Sequence, residues 1–236
     1  FRSDVSTSML AEDLKPNRLE AAKDVAAEFI NGRPNDNIGI TLFAGETFTQ
    51  CPLTVDHAVL LDMIHNIKCG LITDGTAVGM GIANAVTRLK DSKAKSKVII
   101  LLTDGTNNKG DISPMTAAEI AKSFGIRVYT IGVGTNGMAP YPYPVGNTVQ
   151  YVSMPVEIDE KTLTEIAGTT DGNYFRATSN SKLKEVYEEI DKLEKTKLNV
   201  KEYSKRDEEY HWFALAAFLC VLLEVLLRNS VLKKIP

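Results

Sequence analysis

Five oxygen-bearing side chains stand at positions from which an α/β protein could gather them into one site. They are two carboxylates and three hydroxyls: Asp4, Ser6, Ser8, Thr76 and Asp104. The set has no sulfur and no imidazole, so it suits a hard divalent cation, Mg²⁺ first and Mn²⁺ or Ca²⁺ next. Short hydroxyls can contact such an ion while the aspartates hold its waters, which leaves a coordination position open. The residue types therefore predict a metal site that can accept an external ligand.

Each part of this set also has an ordinary structural explanation. Asp4, Ser6 and Ser8 are as typical of a helix cap or turn as of a metal site. Thr-Asp-Gly at residues 73–75 is a turn sequence, and Thr76 can cap the helix that follows it. The three parts together, each at a strand end or a helix start, favour the metal site.

Three segments predict the buried parallel strands that would position these residues. Residues 38–44 and 98–102 are continuous apolar runs, and residues 127–133 are rich in β-branched side chains. Apolar residues at helical spacing lie in four further stretches: 19–30, 59–67, 78–89 and 117–124. The alternation predicts a Rossmann-like α/β domain over residues 1–198, with a mainly parallel central sheet flanked by helices on both faces.

This arrangement explains why the five oxygen donors should meet. Asp4 follows what remains of a first strand, Asp104 follows the strand that ends at Thr103, and Thr76 directly precedes a helix. Loops at the carboxyl ends of parallel strands converge on one edge of an open α/β sheet, where ligands bind. We expect the site at that edge.

The remaining segments complete the predicted domain. Residues 46–53 predict an antiparallel edge strand, and residues 173–176 a strand preceded by a short helix around Leu163 and Ile166. Three prolines in residues 135–151, with three glycines nearby, predict a long surface loop. Residues 181 to about 197 predict a final amphipathic helix.

The C-terminal part predicts a membrane anchor. Residues 199–210 are almost wholly charged and predict a solvated linker. Residues 211–228 are apolar apart from the ends and Glu224, and predict a transmembrane helix, followed by a short basic tail at 229–236. Three basic residues lie on each side of the apolar run, so charge gives no orientation. Because the chain begins at Phe1, we expect that an upstream portion is missing.

Composition excludes some classes of protein. A net charge of -3 argues against a nucleic-acid partner, which usually requires a basic face. Three cysteines, Cys51, Cys69 and Cys220, are too few for a disulfide framework in 236 residues. A Cys51–Cys69 bridge is conceivable outside the cytoplasm, but two free thiols are favoured.

Two enzymatic interpretations fit the residues less well. Gly132 to Gly137 matches the dinucleotide pattern G-x-G-x-x-G, but the proline-rich residues after it cannot open the helix that would bind a pyrophosphate. Asp4 could instead be a Mg²⁺-assisted nucleophile for phosphoryl transfer. Such sites place a second acid two residues later, and this chain has Ser6 there. We therefore expect no catalytic residues and no enzymatic activity.

The metal-site residues carry a resemblance to a known family. Residues 4–8 (DVSTS), Thr76 and residues 102–105 (LTDG) resemble the metal-ion-dependent adhesion site of von Willebrand factor A domains. The resemblance implies that Ser6, Ser8 and Thr76 bind the ion through hydroxyls and that Asp4 and Asp104 act directly or through water. Thr7 stands where that motif usually has glycine, and the apolar first strand of the family is here only residues 1–3.

A second resemblance covers almost the whole chain. It is to the bacterial aerotolerance-type (Bat) membrane proteins, and most to their BatA branch, and it is carried by residues 11–19, 43–45, 128–134 and 158–160 and by the apolar C-terminal helix. It implies an A domain on the periplasmic side of the bacterial inner membrane. It also implies partnership with other Bat membrane proteins and a MoxR-type AAA+ ATPase.

Two hypotheses of function remain open from the sequence. In the first, Mg²⁺ offers its open position to a carboxylate of a partner protein, so the domain is a metal-dependent interaction module. In the second, the chain is a structural subunit of a membrane complex, docked through its apolar helix and domain faces, and the metal is incidental. Chelation of the metal distinguishes the two, because only the first predicts loss of the partner.

Overall fold

A six-stranded sheet forms the centre of the molecule in the computed structural model, which describes residues 1–70, 72–146, 148–203, 214–219, 221 and 223–225. Eight strands lie in the described residues: β1 (Arg2–Asp4), β2 (Ile38–Phe43), β3 (Thr47–Thr54), β4 (Lys97–Thr103), β5 (Ile126–Val133), β6 (Met138–Val145), β7 (Thr148–Pro155) and β8 (Tyr174–Ala177). The central sheet has the order β3-β2-β1-β4-β5-β8, and β6 and β7 form a separate hairpin. Only β3 runs antiparallel to its neighbour in the central sheet.

Helices cover both faces of this sheet. They are α1 (Arg18–Asn31), α2 (His57–His65), α3 (Val78–Leu89), α4 (Pro114–Ser123), α5 (Glu160–Thr169) and α6 (Asn180–Tyr203), with a short 3₁₀ turn at Thr7–Leu10. Side chains of α1, α2 and α6 share one buried apolar cluster, and those of α3, α4 and α5 share another. Along β4, Ile100 and Leu102 belong to the first cluster, whereas Ile99 and Leu101 belong to the second. The strand is apolar throughout because both of its faces are buried.

The sheet order places a topological switch point beside the first strand. From β1 the chain continues to β2 on one side, and it later returns to β4 on the other side of β1. The loops that leave β1 and β4 therefore diverge and open a crevice at the carboxyl edge, which is the usual ligand site of an open α/β sheet. Asp4 ends β1, and Asp104 directly follows β4.

The predicted parallel sheet, flanking helices and antiparallel edge strand are confirmed. The strand predicted at residues 173–176 is β8, and the prediction of free thiols at Cys51 and Cys69 is also confirmed. Met138 opens a strand directly after the G-x-G-x-x-G segment, so that segment does not lead into a helix.

The prediction of a long surface loop over residues 135–151 is wrong. This segment contributes β6 and the start of β7, two antiparallel strands in continuous register from Met138↔Pro155 to Val145↔Thr148. Prolines 140, 142 and 144 lie in β6 at every second position. They are compatible with pairing because a strand uses the N–H groups of alternate residues for each neighbour. Because the prolines occupy only even-numbered positions, the odd-numbered residues between them keep the N–H groups that donate to β7.

The C-terminal part divides from the domain near residue 194. The first compact unit is Phe1–Glu194 and the second is Lys195–Pro236. Helix α6 continues to Tyr203, beyond the end predicted near residue 197 and into the predicted linker. The rest of that linker (residues 204–210), parts of the predicted transmembrane helix and the basic tail lie outside the described residues. Residues 214–219, 221 and 223–225 are helical and exposed.

Among the helices of the described residues, none combines the length and the apolar character needed to cross a bilayer.

Candidate metal site

A chain of hydrogen bonds joins four of the five predicted metal ligands. The Ser6 hydroxyl lies 2.9 Å from the Ser8 hydroxyl, and Ser8 Oγ donates to Asp104 Oδ1 at 2.7 Å. Asp4 Oδ1 accepts from the backbone N–H of Ser6 at 2.9 Å. The carboxylates that end β1 and follow β4 are thus connected through the two serines of one turn.

Thr103, the last residue of β4, also belongs to this cluster. Its hydroxyl donates to Asp4 Oδ2 at 2.7 Å, so both oxygens of the Asp4 carboxylate are held. Asp4 is fully buried and Asp104 almost so. The Asp4 carboxylate is therefore fixed at the end of the sheet, while Ser6 and Ser8 lie on the turn that follows β1.

Thr76 reaches the site on a different loop. Its backbone N–H donates to Asn108 Oδ1 at 2.9 Å, and its carbonyl accepts from the backbone N–H groups of Asn108 and Lys109. A Cβ atom placed on Gly105 would lie 3.3 Å from Thr76 Oγ1. This close approach favours glycine after Asp104 and shows that the Thr76 hydroxyl lies directly against the loop that carries Asp104.

Arg18, at the first position of α1, is the cation of the site. Its Nη1 donates to Asp104 Oδ2 at 2.7 Å, and its Nε and Nη2 donate to the two oxygens of Asp13 at 2.7 and 2.6 Å. Asn17 caps this helix by accepting from Glu20 N, which fixes the place where Arg18 starts. The arginine thus holds two acidic side chains that would otherwise repel each other.

Burial and charge shift the pKa values of these carboxyls. Burial, together with the charge of Asp104, raises the pKa of Asp4 to about 7. Burial also raises the pKa of Asp104, although the charge of Arg18 and hydrogen bonds from Arg18 and Ser8 oppose it. For Asp13, burial acts upward, but the hydrogen bonds from Arg18 and Thr135 prevail and its pKa is lowered. The two predicted carboxylate ligands are therefore costly to ionise side by side.

Thr7 does not disturb the site although it replaces the usual glycine. Its backbone N–H and its hydroxyl donate to the two carboxylate oxygens of Asp74 at 3.0 and 2.8 Å. The Thr7 side chain is thereby engaged with Asp74, and it ties the 3₁₀ turn to the loop that precedes Thr76. The neighbouring Cys69 thiol donates to the Ser6 carbonyl at 3.5 Å, and burial raises its pKa to about 12.

The comparison with known protein families decides the identity of the domain. The family model for the von Willebrand factor type A domain matches residues 1–189. The chain belongs to this family. It thus has an A domain, and the predicted ligands occupy the carboxyl edge at which the switch point lies.

Two curated relatives match the A domain and extend beyond it. An uncharacterized protein of Borreliella burgdorferi is 28% identical over 98% of this chain and 69% of its own length. A UPF0353 protein of Nocardia farcinica is 32% identical over 80% of this chain and 60% of its own length. The chain thus spans about two thirds of the length of these relatives.

Solved structures place the A domain among the Bat proteins. BatB from Bacteroides thetaiotaomicron has a TM-score of 0.71 and 34% identity, covering 82% of this chain and 97% of that one. An aerotolerance-related membrane protein from Bacteroides fragilis has a TM-score of 0.71 and 31% identity, covering 81% and 94%. This is a Bat-type A domain protein; its assignment to the BatA branch stays a prediction.

A more distant solved structure contains a bound metal. Proximal thread matrix protein 1 from the mussel byssus, with a zinc-occupied MIDAS motif, has a TM-score of 0.63 and 25% identity, covering 82% of this chain and 44% of that one. That protein therefore holds zinc at its MIDAS motif.

The donor set of this A domain fits a divalent cation. The five side chains offer only oxygen, and two of them are buried carboxylates whose pKa values are raised by burial. A cation between them would stabilise both ionised forms, as it does in other carboxylate sites. Within the described residues, no group of three or more His, Cys, Asp or Glu side chains forms a metal cluster, and this site has two carboxylates.

Several residues of the site were not predicted from the sequence. Arg18 and Asp13 lie in a segment quoted only for its resemblance to Bat proteins, and nothing in their spacing from Asp104 indicates the ion pair. Thr103 lies within the LTDG motif and Asn108 follows it, but the sequence did not predict their bonds to Asp4 and Thr76. Asp74 was read as a turn residue, and its contact with Thr7 depends on two loops distant in sequence.

Proposed function

We propose that this chain is a membrane-anchored, divalent-metal-dependent protein interaction module of the Bat type. The hydrogen-bonded series Asp4, Ser6, Ser8 and Asp104 carries the proposal, because it gathers hard oxygen donors at the switch point of an A domain. The five side chains of the predicted set offer only oxygen atoms, and two of them are carboxylates, which is the donor chemistry of a divalent-cation site. Binding, rather than a reaction, is what this arrangement supports.

The side chains present would divide the work of holding the ion. Ser6, Ser8 and Thr76 would supply hydroxyl ligands, and Asp4 and Asp104 would act directly or through water. When bound, Mg²⁺ (or Mn²⁺ or Ca²⁺) would supply an open position that attracts an anionic oxygen. Arg18 keeps Asp104 oriented through Nη1 and, with Asp13 on its other side, leaves the net charge of the site negative.

The external ligand we propose is a carboxylate of a partner protein. A carboxylate matches the hard cation in charge and donor type. Partner choice would depend on the loops around the ion, residues 46–56 and 105–113. By the family resemblance, the partners are other Bat membrane proteins and a MoxR-type AAA+ ATPase system.

The proposed location is the bacterial inner membrane, with the A domain in the periplasm. Solved neighbours that are named as membrane proteins support membrane association. The apolar residues 211–228 would provide the anchor, and the resemblance to Bat proteins supports the periplasmic side.

A pull-down from detergent-solubilised membranes tests this function. The full-length chain is used as bait in Mg²⁺, in EDTA, and as the Asp104→Ala variant in Mg²⁺. We expect specific partners in Mg²⁺ and their loss in both other conditions. The variant should fold, because Arg18 keeps both oxygens of Asp13 when Asp104 is removed.

A matched control separates loss of the metal from loss of an aspartate. Asp159 caps α5 through Thr162 and is not among the predicted ligands. The Asp159→Ala variant should therefore retain every partner that depends on Mg²⁺. Partners kept in EDTA and in Asp104→Ala would contradict the proposal and favour a structural subunit docked through other surfaces.

A further inference from the structure

The β6–β7 hairpin has one blocked edge and one open edge. The register pairs Pro140, Pro142 and Pro144 with Ser153, Tyr151 and Val149. Because proline has no N–H, these residues cannot be the hydrogen-bonded pairs of the ladder, so their backbone groups point away from the partner strand. The Pro140 carbonyl confirms this direction, since it accepts from Glu12 N at 2.9 Å. The outer edge of β6 therefore has no N–H at three successive outward positions.

The outer edge of β7 has the opposite character. By the same register, the N–H and carbonyl groups of Val149, Tyr151 and Ser153 point away from β6. Within the described residues, no hydrogen bond satisfies these six backbone groups, and every residue of β7 is exposed. A strand edge of this kind is a template for another strand.

The composition of the hairpin removes the usual protection of such an edge. Residues 138–155 contain no charged side chain, although 24% of the whole chain is charged. Native proteins commonly protect a free edge with lysine or another charge, or with proline. Here proline protects β6, whereas β7 has none before Pro155 at its end.

We propose that the open edge of β7 pairs with the same edge of a second copy of this chain. An antiparallel pair centred on Tyr151 places Val149 of each copy opposite Ser153 of the other. Every outward N–H of one copy then meets an outward carbonyl of the other, because both kinds of group belong to Val149, Tyr151 and Ser153. Self-pairing brings each side chain opposite one from an identical strand, and the uncharged β7 meets no like charge. The result is a continuous four-stranded sheet across a two-fold axis.

This pairing is independent of the metal site. The Tyr151 hydroxyl bonds to Glu12 at 3.0 Å, so the side chain is already held while its backbone remains open. The contact that joins the two copies is made by backbone groups of β7 and not by any predicted metal ligand. Chelation of the metal should therefore leave the dimer intact, whether or not it releases a partner protein bound at the metal site.

Sedimentation of the full chain in detergent, over a wide range of protein concentration, tests the proposal. The variants Val149→Pro and Ser153→Pro each remove one outward N–H from each copy and leave the bonds between β6 and β7 unchanged. We expect each to weaken dimerisation roughly tenfold or more, since two hydrogen bonds are lost per dimer. Val149→Ala and Ser153→Ala keep the N–H and should remain dimeric. Circular dichroism and thermal melting verify that the variants fold.

Amide hydrogen exchange provides a readout that needs no variant. Exchange at Val149, Tyr151 and Ser153 should slow as the protein concentration rises, whereas exchange at Gln150 and Val152, which already donate to β6, should not change. A monomeric chain, a dimer that both proline variants leave unchanged, a dimer dissolved by EDTA, or exchange unaffected at the three outward residues would each overturn the proposal.

Discussion

Arg18 sets the charge balance of the candidate metal site. The side chains of Arg18, Asp13 and Asp104 are each at most 4% exposed, and three hydrogen bonds join them. Burial alone would lower the pKa of Arg18, but the hydrogen bonds that Arg18 donates to Asp13 and the charge of Asp104 raise it. A guanidinium suits this position because its planar donors reach two carboxylates at once.

Removal of this cation should destabilise the domain strongly. Arg18→Ala leaves two carboxylates buried without their shared partner, and we expect a loss of about 3–5 kcal/mol in the free energy of unfolding. Urea unfolding of the full chain in detergent measures it. Lys184→Ala, which breaks the exposed pair with Glu28, is the control and should have no measurable effect. Equal stability of the two variants would show that the buried pair is not required.

At the residue scale, the sequence predicted which oxygen donors would lie together but not which residues hold them in place. Asp4 and Asp104 could be placed together because each follows a parallel strand, and such strand ends meet at one edge. The pairing of Arg18 with Asp104 joins residues 86 positions apart. It depends on the angle at which α1 leaves the site, and residue spacing carries no information about that angle.

At the scale of elements, Glu194 fastens α6 to the sheet. Its carboxylate accepts from Arg127 Nε and Nη2 at 3.0 and 2.6 Å, and from the hydroxyls of Tyr129 and Ser96 at 2.7 and 2.9 Å. Burial raises the pKa of Glu194, but these hydrogen bonds, led by Arg127, outweigh burial, and the pKa is lowered. The ionised form is thus favoured in the folded state.

The Glu194 carboxylate should make the free energy of unfolding of the domain decrease at acidic pH. Because the folded pKa lies below the unfolded value of about 4.3, its contribution is complete above that value and disappears as pH falls through the folded pKa. Glu194→Gln should cost roughly 1.5–3 kcal/mol at neutral pH and flatten this part of the acid profile. Urea unfolding at a series of pH values measures both effects. The exposed Glu185→Gln is the control, and matching profiles for the two variants would contradict the assignment.

The elements were largely predictable, with one instructive exception. Continuous apolar runs identified β2 and β4, because strands buried on both faces need apolar side chains at every position. β-branched side chains identified β5. The hairpin was missed because its three prolines were counted as breakers, whereas their period of two leaves alternate donors free. Helix α6 was predicted too short because the charged residues beyond 197 resemble a linker, yet they continue the helix.

At the scale of the whole molecule, the metal should act as a stabilising ligand. The folded chain gathers Asp4 and Asp104 where burial raises both pKa values, and a cation would relieve that cost. A ligand that binds only the folded state at about 100 times its Kd adds roughly 2.7 kcal/mol. We expect saturating Mg²⁺ to raise the unfolding free energy of the full chain by about this amount. Thermal or urea unfolding with and without EDTA measures it, and an equal gain in Asp104→Ala would contradict the site.

The whole molecule also shows where prediction from sequence ends. The fold, the sheet edge at which the oxygen donors gather, and the family follow from strand patterns and three short motifs. The open edge of β7 does not follow from the sequence. Whether the N–H groups of its odd-numbered or its even-numbered residues point toward β6 depends on the register of the two strands, and that register is set by their pairing in three dimensions.

Direct titration of Mg²⁺ into the metal-free full chain tests the central claim most closely. Isothermal titration calorimetry should give one ion per chain for the parent and for Asp159→Ala, and no binding for Asp104→Ala. That result would establish the site formed by Asp4, Ser6, Ser8, Thr76 and Asp104 as a metal site. Absence of binding to the parent, or unchanged binding to Asp104→Ala, would contradict it.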